Sequence, residues 1–320
     1  MHWCVATHPT LPDIQTNMPD PSSENQTLSF LLRRFDEAGI RPHKKLGQNF
    51  LIDMNLHRLL LDSADLGEND VVLEVGTGTG SLTVLMAQRA AAVITVELDE
   101  QLFQLAGEEL FGVENVFMLR TDALKSKSKL SPMVLDEIAK QLAAAEGRQL
   151  KLVANLPYNI ATPLLSNLLA LDTPPRMMTV TIQKELADRI IARPGSKDYG
   201  AFSIWIQSQC RSELVRVMPP SAFWPQPKVH SAIIRVTLDD ELRGRIPDRK
   251  FFHAFVRSMF FHRRKFLRSV LLSAFKNRLN KPQVDAVLAE LGIDGTIRAE
   301  TMDVEQMLRM CEAFRAEVGD

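Results

Sequence analysis

Val71-Val72-Leu73-Glu74-Val75-Gly76-Thr77-Gly78-Thr79-Gly80-Ser81-Leu82-Thr83-Val84-Leu85-Met86 reads as a buried strand, a glycine turn and the start of a helix. Glycines permit positive φ and close approach of a ligand to the backbone, and a helix N-terminus supplies free N–H groups, so the turn predicts a nucleotide cofactor. The dinucleotide fingerprint G-x-G-x-x-G requires glycine where Ser81 stands, which argues against a dehydrogenase. A second strand, Ala92-Val93-Ile94-Thr95-Val96, ends at Glu97, twenty-one residues beyond Gly76, where a carboxylate can accept the ribose hydroxyls of an adenosine cofactor. A third, Val116 to Leu119, leads to Asp122, a candidate acceptor for the cofactor's adenine amine or a helix cap. Further strands at Leu150–Ala154 and Met177–Ile182 alternate with helical patterns, which predicts an open, mostly parallel α/β sheet with its site along the carboxyl edge.

The fourth strand delivers Asn155-Leu156-Pro157-Tyr158 to that edge. Leu156, preceding a proline, is biased to extended backbone, and Pro157 fixes its own φ and donates nothing to a sheet, so the tetrapeptide is a rigid corner. It presents an amide oxygen, a backbone carbonyl and a phenol ring, which suits the exocyclic amine and flat face of adenine; taken alone, the tetrapeptide reads more simply as a strand ending in an Asn-Pro turn with Tyr158 packed on the core. A helix over Phe202–Cys210 and strands at Leu214–Met218 and Ala232–Leu238, forming an antiparallel hairpin, follow. The loop Pro219 to Val229 between them is stiff with proline and carries Phe223 and Trp224, read as a second face for a flipped base opposite Tyr158 or as a hydrophobic plug.

Residues 1–26 are rich in Pro, Thr, Ser and Asn and read as a disordered extension, with Met18 a candidate start. A short amphipathic helix follows on Leu28, Leu31, Leu32 and Phe35, then the basic and polar stretch Arg41 to Leu51, which by itself reads as a solvated loop. The 320 residues are 45% hydrophobic and 24% charged, the composition of a soluble globular protein, without an apolar run long enough to span a bilayer or a secretory signal, which predicts a cytoplasmic location. Cys4, Cys210 and Cys311 are too few and too dispersed for a disulfide framework or a metal site. The net charge of −1 conceals segregation: residues 241–280 hold eleven Lys or Arg against two acids, residues 281–320 four against nine. The chain divides into the extension at 1–26, the sheet domain at 27–240 and a helical domain at 241–320. Arg263, Arg264, Lys265 and Arg268 give it a cationic surface, read as a solvated helix face or as a candidate phosphate-binding surface.

Taken together, Leu46 to Leu51, Glu74 to Thr83, Glu97-Leu98-Asp99, Asp122-Ala123, Asn155 to Pro163, Ser196 to Gly200, Pro219 to Phe223, Pro227 to Ser231, Arg263 to Lys265 and Arg298 to Glu300 resemble the bacterial small-subunit ribosomal RNA adenine N6-dimethyltransferase family (KsgA/RsmA). The resemblance covers nearly everything from Lys44 to Phe314. It implies a Rossmann-like, S-adenosylmethionine-dependent methyltransferase sheet with a smaller all-helical C-terminal domain. It implies S-adenosylmethionine as cofactor and, as substrate, N6 of two adjacent adenosines in the 3′-terminal hairpin of 16S rRNA within an immature 30S subunit, methylated by a monomer without a metal. Carried over, Asn49, Leu51, Gly76, Glu97, Asp122 and Asn155 bind the cofactor, which revises the solvated reading of the loop around Asn49, while Asn155, Leu156, Tyr158 and Phe223 handle the target base. The chain departs from the family in its N-terminal extension and in Phe261-His262 before the basic run, where Asn-Gln is common. DNA adenine methyltransferases are disfavoured by Leu156, and methyltransferases of large-subunit RNA by the Pro219–Ser231 loop and the helical C-terminus. A binding factor without catalysis is disfavoured by intact Gly76, Glu97, Asn155 and Tyr158.

Overall fold

A computed structural model describes residues 28–43 and 46–319; the disordered extension read at 1–26 and the cations Lys44 and Lys45 lie outside the described residues. Helix α1 (Leu28–Glu37) buries Leu31 and Phe35, leaving Leu28 and Leu32 exposed, so its apolar stripe is narrower than the four leucine and phenylalanine positions suggest. A two-residue strand β1 (Phe50–Leu51) and helix α2 (Met54–Ser63), capped by the Asp53 carboxylate on the Asn55 N–H at 2.9 Å, lead into the sheet. The βα series then runs β2 (Asp70–Val75), α3 (Ser81–Ala87), β3 (Ala92–Glu97), α4 (Glu100–Glu109) and β4 (Val116–Arg120). After a small hairpin of β5 (Leu124–Ser126) and β6 (Lys129–Leu130) come α5 (Pro132–Ala143), β7 (Gln149–Asn155), α6 (Ala161–Leu169), β8 (Met177–Gln183), α7 (Lys184–Ile190) and α8 (Ala201–Gln207). The sheet closes with β9 (Cys210–Met218), β10 (Phe223–Trp224) and β11 (Ser231–Leu238).

Seven strands lie in the order β4-β3-β2-β7-β8-β11-β9; the first five are parallel, and β11 runs antiparallel to both β8 and β9. The chain leaves β2 toward β3 and β4 and returns to β7 on the opposite side of β2, which opens a crevice at the carboxyl ends of β2 and β7. Strand alternation divides the core between the two faces. Val71, Leu73, Ile94 and Leu152 face α5 and α6, while Val72, Val93 and Val153 face α2 and α3. Strand β9 is four residues longer than its pattern and α8 ends three residues earlier than its pattern, because Arg211-Ser212-Glu213 sits on a sheet edge where charge is tolerated. Arg211 pairs there with Asp239 at 2.7 Å, and Arg235 with Glu213.

Beyond β11 every element is helical: α9 (Asp240–Gly244), α10 (Arg249–Phe261), α11 (Leu267–Ala274), α12 (Lys281–Leu291) and α13 (Val304–Val318). Their apolar residues join the same core as α6 to α8. Trp205 meets Phe252 at a centroid distance of 6.4 Å and His253 at 4.3 Å, so α8 is the seam between sheet and helices. Phe252 is fully buried in the first turn of α10 and Phe251 is half-buried.

Candidate active site

The glycine turn is held against the sheet by its own backbone, with the Gly76 N–H donating to the Val96 carbonyl at 2.8 Å, and Gly76, Gly78 and Gly80 all have positive φ. At Gly76 the reason is also steric, since a Cβ there would lie 3.3 Å from Pro157 Cδ. The missing side chain thus lets the Asn-Leu-Pro-Tyr corner at the end of β7 close over the end of β2. Beneath the turn, the buried Glu74 accepts from Thr83 Oγ1 at 2.5 Å and Thr95 Oγ1 at 2.6 Å. Burial pushes its carboxyl up to about 8, so it is chiefly a neutral acid at pH 7.

Glu97, 7% exposed, closes β3. Its Oε1 accepts the N–H groups of Leu98 and Asp99, each at 2.9 Å, and its Oε2 accepts that of Gly78 at 3.0 Å. Burial raises its pKa, and these three backbone donors oppose the rise. A carboxylate offers about four acceptor positions. One therefore remains on Oε2, so Glu97 holds one open strong acceptor rather than a free pair. Asp122 is exposed and accepts the Leu124 N–H on Oδ1 at 2.8 Å, a local turn that orients the carboxylate.

These groups line one cavity of about 220 Å³. Gly76, Glu97, Asp122, Asn49, Asn155 and Leu156 are all on its wall, which brings together five of the six residues expected to hold a cofactor. Leu51 is the exception: it is buried and lines only small cavities behind the glycine turn, beside His57. Leu98, Leu102 and Ile160 add an apolar wall not anticipated from the sequence. Leu98 is 49% exposed, an apolar residue in an acidic strand end with no packing role to explain it, which is the sign that marks it.

The Asn155 side chain donates from Nδ2 to the Asn49 carbonyl at 2.8 Å. A carbonyl only accepts, so this bond fixes which end of the amide is nitrogen and leaves Oδ1 uncommitted. Leu156 donates its N–H to the Thr181 carbonyl at 3.1 Å and packs inward. Tyr158 turns out of the cavity into an adjoining open groove of about 480 Å³, lined also by Gly47, Asn49, Asn159, Gln183, Pro227 and Lys228. Its hydroxyl is 2.5 Å from Ser231 Oγ, and burial raises its pKa. Gly47, Asn49 and Asn159 line both spaces, so the cavity and the groove are neighbours across Asn49.

Phe223 does not face the groove. It is 1% exposed, because β10 pairs with β1 in the register Leu51↔Phe223 and Phe50↔Trp224, which turns its ring into the core under α2 and α3. Phe50 and Trp224 instead join Phe35 in an aromatic cluster with centroid separations of 5.0–6.4 Å. The basic surface is also divided. Arg263 pairs with Glu300 at 2.5 Å and donates to the Ser196 carbonyl at 3.2 Å, and Arg268 forms a two-point pair with Asp285 at 2.5 and 2.7 Å. Arg264 and Lys265 are exposed and form no ion pair among the described residues.

Residues 39–316 match the family described as ribosomal RNA adenine dimethylase. The chain is 36% identical over 302 residues to the ribosomal RNA small subunit methyltransferase A of Bacillus mycoides, covering 93% of this chain and 98% of the relative, and equally similar to that of Bacillus cytotoxicus. Among solved structures, a dimethyladenosine transferase from Plasmodium falciparum shares the fold with a TM-score of 0.69 and 22% identity, covering 83% of this chain and 97% of that one. The 23S rRNA methyltransferase ErmE aligns with a TM-score of 0.56 and 25% identity, over 83% of this chain and 99% of that one.

Proposed function

The chain belongs to the ribosomal RNA adenine dimethylase family, an S-adenosylmethionine-dependent enzyme that dimethylates adenine in ribosomal RNA, and we propose that its targets are two adjacent adenosines in the 3′-terminal hairpin of 16S rRNA. It acts in the cytoplasm, as a monomer, on an immature 30S subunit, with residues 241–320 turned toward the RNA. The name shared by the Bacillus relatives supports the small-subunit assignment.

The cavity's chemistry suits the cofactor. Glu97 has an open anionic acceptor for a ribose hydroxyl, Asp122 has an uncommitted Oδ2 for the adenine amine, and Leu98, Leu102 and Ile160 supply apolar walls for the purine. Gly76 and Asn49 border the space for the methionine part. S-adenosylmethionine supplies an electrophilic methyl group on a sulfonium centre.

The observation that carries the reading is the orientation of Asn155. An adenine N6 is a poor nucleophile because its lone pair is delocalised into the purine. Acceptance of N6–H by Asn155 Oδ1 and by the Leu156 carbonyl favours a pyramidal nitrogen whose lone pair points away from both acceptors. Tyr158 holds the base flat from the groove. Phe223 acts behind it, as packing under the β1–β10 pair. The amide stays uncharged beside a developing cation and accepts from N6 bearing two hydrogens or one, which suits a second methylation. No strong base is required, because the proton becomes acidic once nitrogen is alkylated. Alignment is therefore the main contribution of the protein, with a ceiling on the order of 7–11 kcal/mol.

The test is methyl transfer to 30S particles that lack the modification, with the product mapped by mass spectrometry. N6,N6-dimethyladenosine at adjacent positions of 16S rRNA is expected. Transfer only to 23S rRNA would assign the chain to large-subunit RNA instead.

A further inference from the structure

We propose that Phe261 is a stacking platform for an unpaired nucleobase of ribosomal RNA, flanked by Arg257, Arg264 and Lys265 as phosphate contacts. This rests on the reading above that the helical segment faces RNA. Helix α10 buries Phe252, Phe255, Val256 and Met259. At 3.6 residues per turn, Phe261 falls on the opposite side of the helix from Phe252, and it is 80% exposed. A lone exposed phenylalanine needs no explanation. The setting of this one does. Among the described residues, four large apolar side chains are more than half exposed, and two of them, Phe261 and Phe266 at 55%, bracket the run His262-Arg263-Arg264-Lys265.

Arg257 stands one turn before Phe261 on the same outer face and is exposed, and like Arg264 and Lys265 it has no ion-pair partner among the described residues. Arg263 does the opposite work. Its pair with Glu300 and its bond to the Ser196 carbonyl anchor the turn between α10 and α11 to the segments around 196 and 300, while the only aromatic ring that Phe261 meets among the described residues is that of the adjacent His262, edge-on at 4.8 Å. Exposed aromatic faces interleaved with unpaired cations, in a segment of eleven basic and two acidic residues, complement an RNA strand whose base is unstacked. Phe111, 91% exposed but next to Glu108 and Glu109, lacks that complementarity and serves as the control.

Affinity for 30S particles lacking the modification is measured across a salt series for Phe261→Ser, Phe261→Leu, Phe261→Trp, Phe111→Ser and the double variant Arg264→Ala/Lys265→Ala, with cofactor calorimetry as the folding control. Stacking carries no counterion release. Phe261→Ser and Phe261→Leu should therefore weaken binding by about 5- to 150-fold with an unchanged salt slope, while Phe261→Trp binds at least as well as the parent and Phe111→Ser matches it. Parent affinity in Phe261→Leu would overturn the proposal, since leucine keeps the apolar area without the π face. If the double variant flattens the slope while Phe261→Ser is silent, stacking fails and the basic surface stands; if neither changes anything, the RNA-facing reading of this segment falls too. Phe261→p-benzoylphenylalanine should photocross-link to rRNA on the particle, and an adduct confined to a ribosomal protein would overturn the assignment to RNA.

Discussion

Replacing Glu97 by Gln tests the cofactor half of the site most cleanly. Three of the four acceptor positions on the carboxylate are filled by the N–H groups of Gly78, Leu98 and Asp99, and the fourth is the one available to a ribose hydroxyl. A hydrogen bond to a charged group contributes about 1.5–3 kcal/mol. Its loss should raise the Kd for S-adenosylmethionine roughly 10- to 150-fold. Glu97→Gln can keep its oxygen on the Leu98 and Asp99 donors, which turns its amide nitrogen toward Gly78 and the cavity, so the ribose acceptor becomes a donor. Glu97→Ala would leave all three buried donors unmet, and its melting temperature should fall further than that of Gln for this reason alone. The assay is calorimetric titration of the folded Gln variant. Burial raises the pKa of Glu97, and only its ionised form is a strong acceptor, so parent affinity should weaken as pH falls through that raised value while the Gln variant responds less. Parent affinity in a folded Gln variant would remove Glu97 from the ribose.

Asn155→Ala should lower kcat by roughly 10²–10³-fold with 30S affinity nearly unchanged, because its oxygen matters most in the transition state; equal losses in single-turnover rate and binding would make it a docking residue. Glu74, with a folded pKa of about 8 against an ordinary 4.5, keeps its proton where the unfolded chain has lost it, so its contribution is complete below about pH 4.5 and disappears as pH rises through about 8. Relative to Glu74→Gln, the parent should lose about 3–6 kcal/mol between those limits in urea unfolding, and parallel pH profiles would refute a neutral Glu74. Arg264→Ala/Lys265→Ala should make the slope of log affinity for 30S against log salt shallower by roughly 1.4–1.8, the release from two phosphate contacts, with cofactor affinity intact. An unchanged slope would take both residues off the RNA surface.

The parts of the site legible in the sequence are those set by local rules. A buried strand running into glycines, an acid at the next strand end and a proline corner each declare their own geometry, and Gly76, Glu97 and Asn155 meet where the strand order reverses. What could not be read depends on partners distant in the chain. Phe223 looks like a free aromatic in a proline-rich loop, yet its register with Leu51, across some 170 residues, sends it into the core. Charge counts over 241–280 are visible, but not that Glu300 and Asp285, both from the acidic stretch that follows, already hold Arg263 and Arg268. The solvated reading of the stretch from Arg41 fits Arg41 and His43, which are exposed, but fails from Leu46 to Leu51 for a related reason. Asn49 and Phe50 are polar and aromatic without periodicity, and only the cavity and the Trp224 and Phe35 rings explain them.

That same arm joins the cavity to the Tyr158 groove. Residues 46–50 form one wall of the cavity proposed to hold the cofactor, and Gly47 and Asn49 continue into the Tyr158 groove. Gly47 has φ +70° and packs so closely on the corner that a Cβ would lie 3.1 Å from Asn159 Oδ1, so the arm is seated directly on the corner that follows β7. Few polar bonds hold it: Gln48 Nε2 to Asp99 Oδ2 at 3.2 Å, Asn155 Nδ2 to the Asn49 carbonyl, and the two-residue ladder with β10. Each contributes only about 0.5–1.5 kcal/mol net. The Asn49 carbonyl nevertheless engages the Asn155 nitrogen, so it sets which end of that amide is left for the proposed target amine. The orientation of Asn155, the proposed acceptor for the target nitrogen, is thus set jointly by β7 and by a backbone segment more than a hundred residues earlier that lines the same cavity. On the proposed roles, seating of the arm and orientation of the amide are linked, because the carbonyl that accepts from Asn155 belongs to the arm.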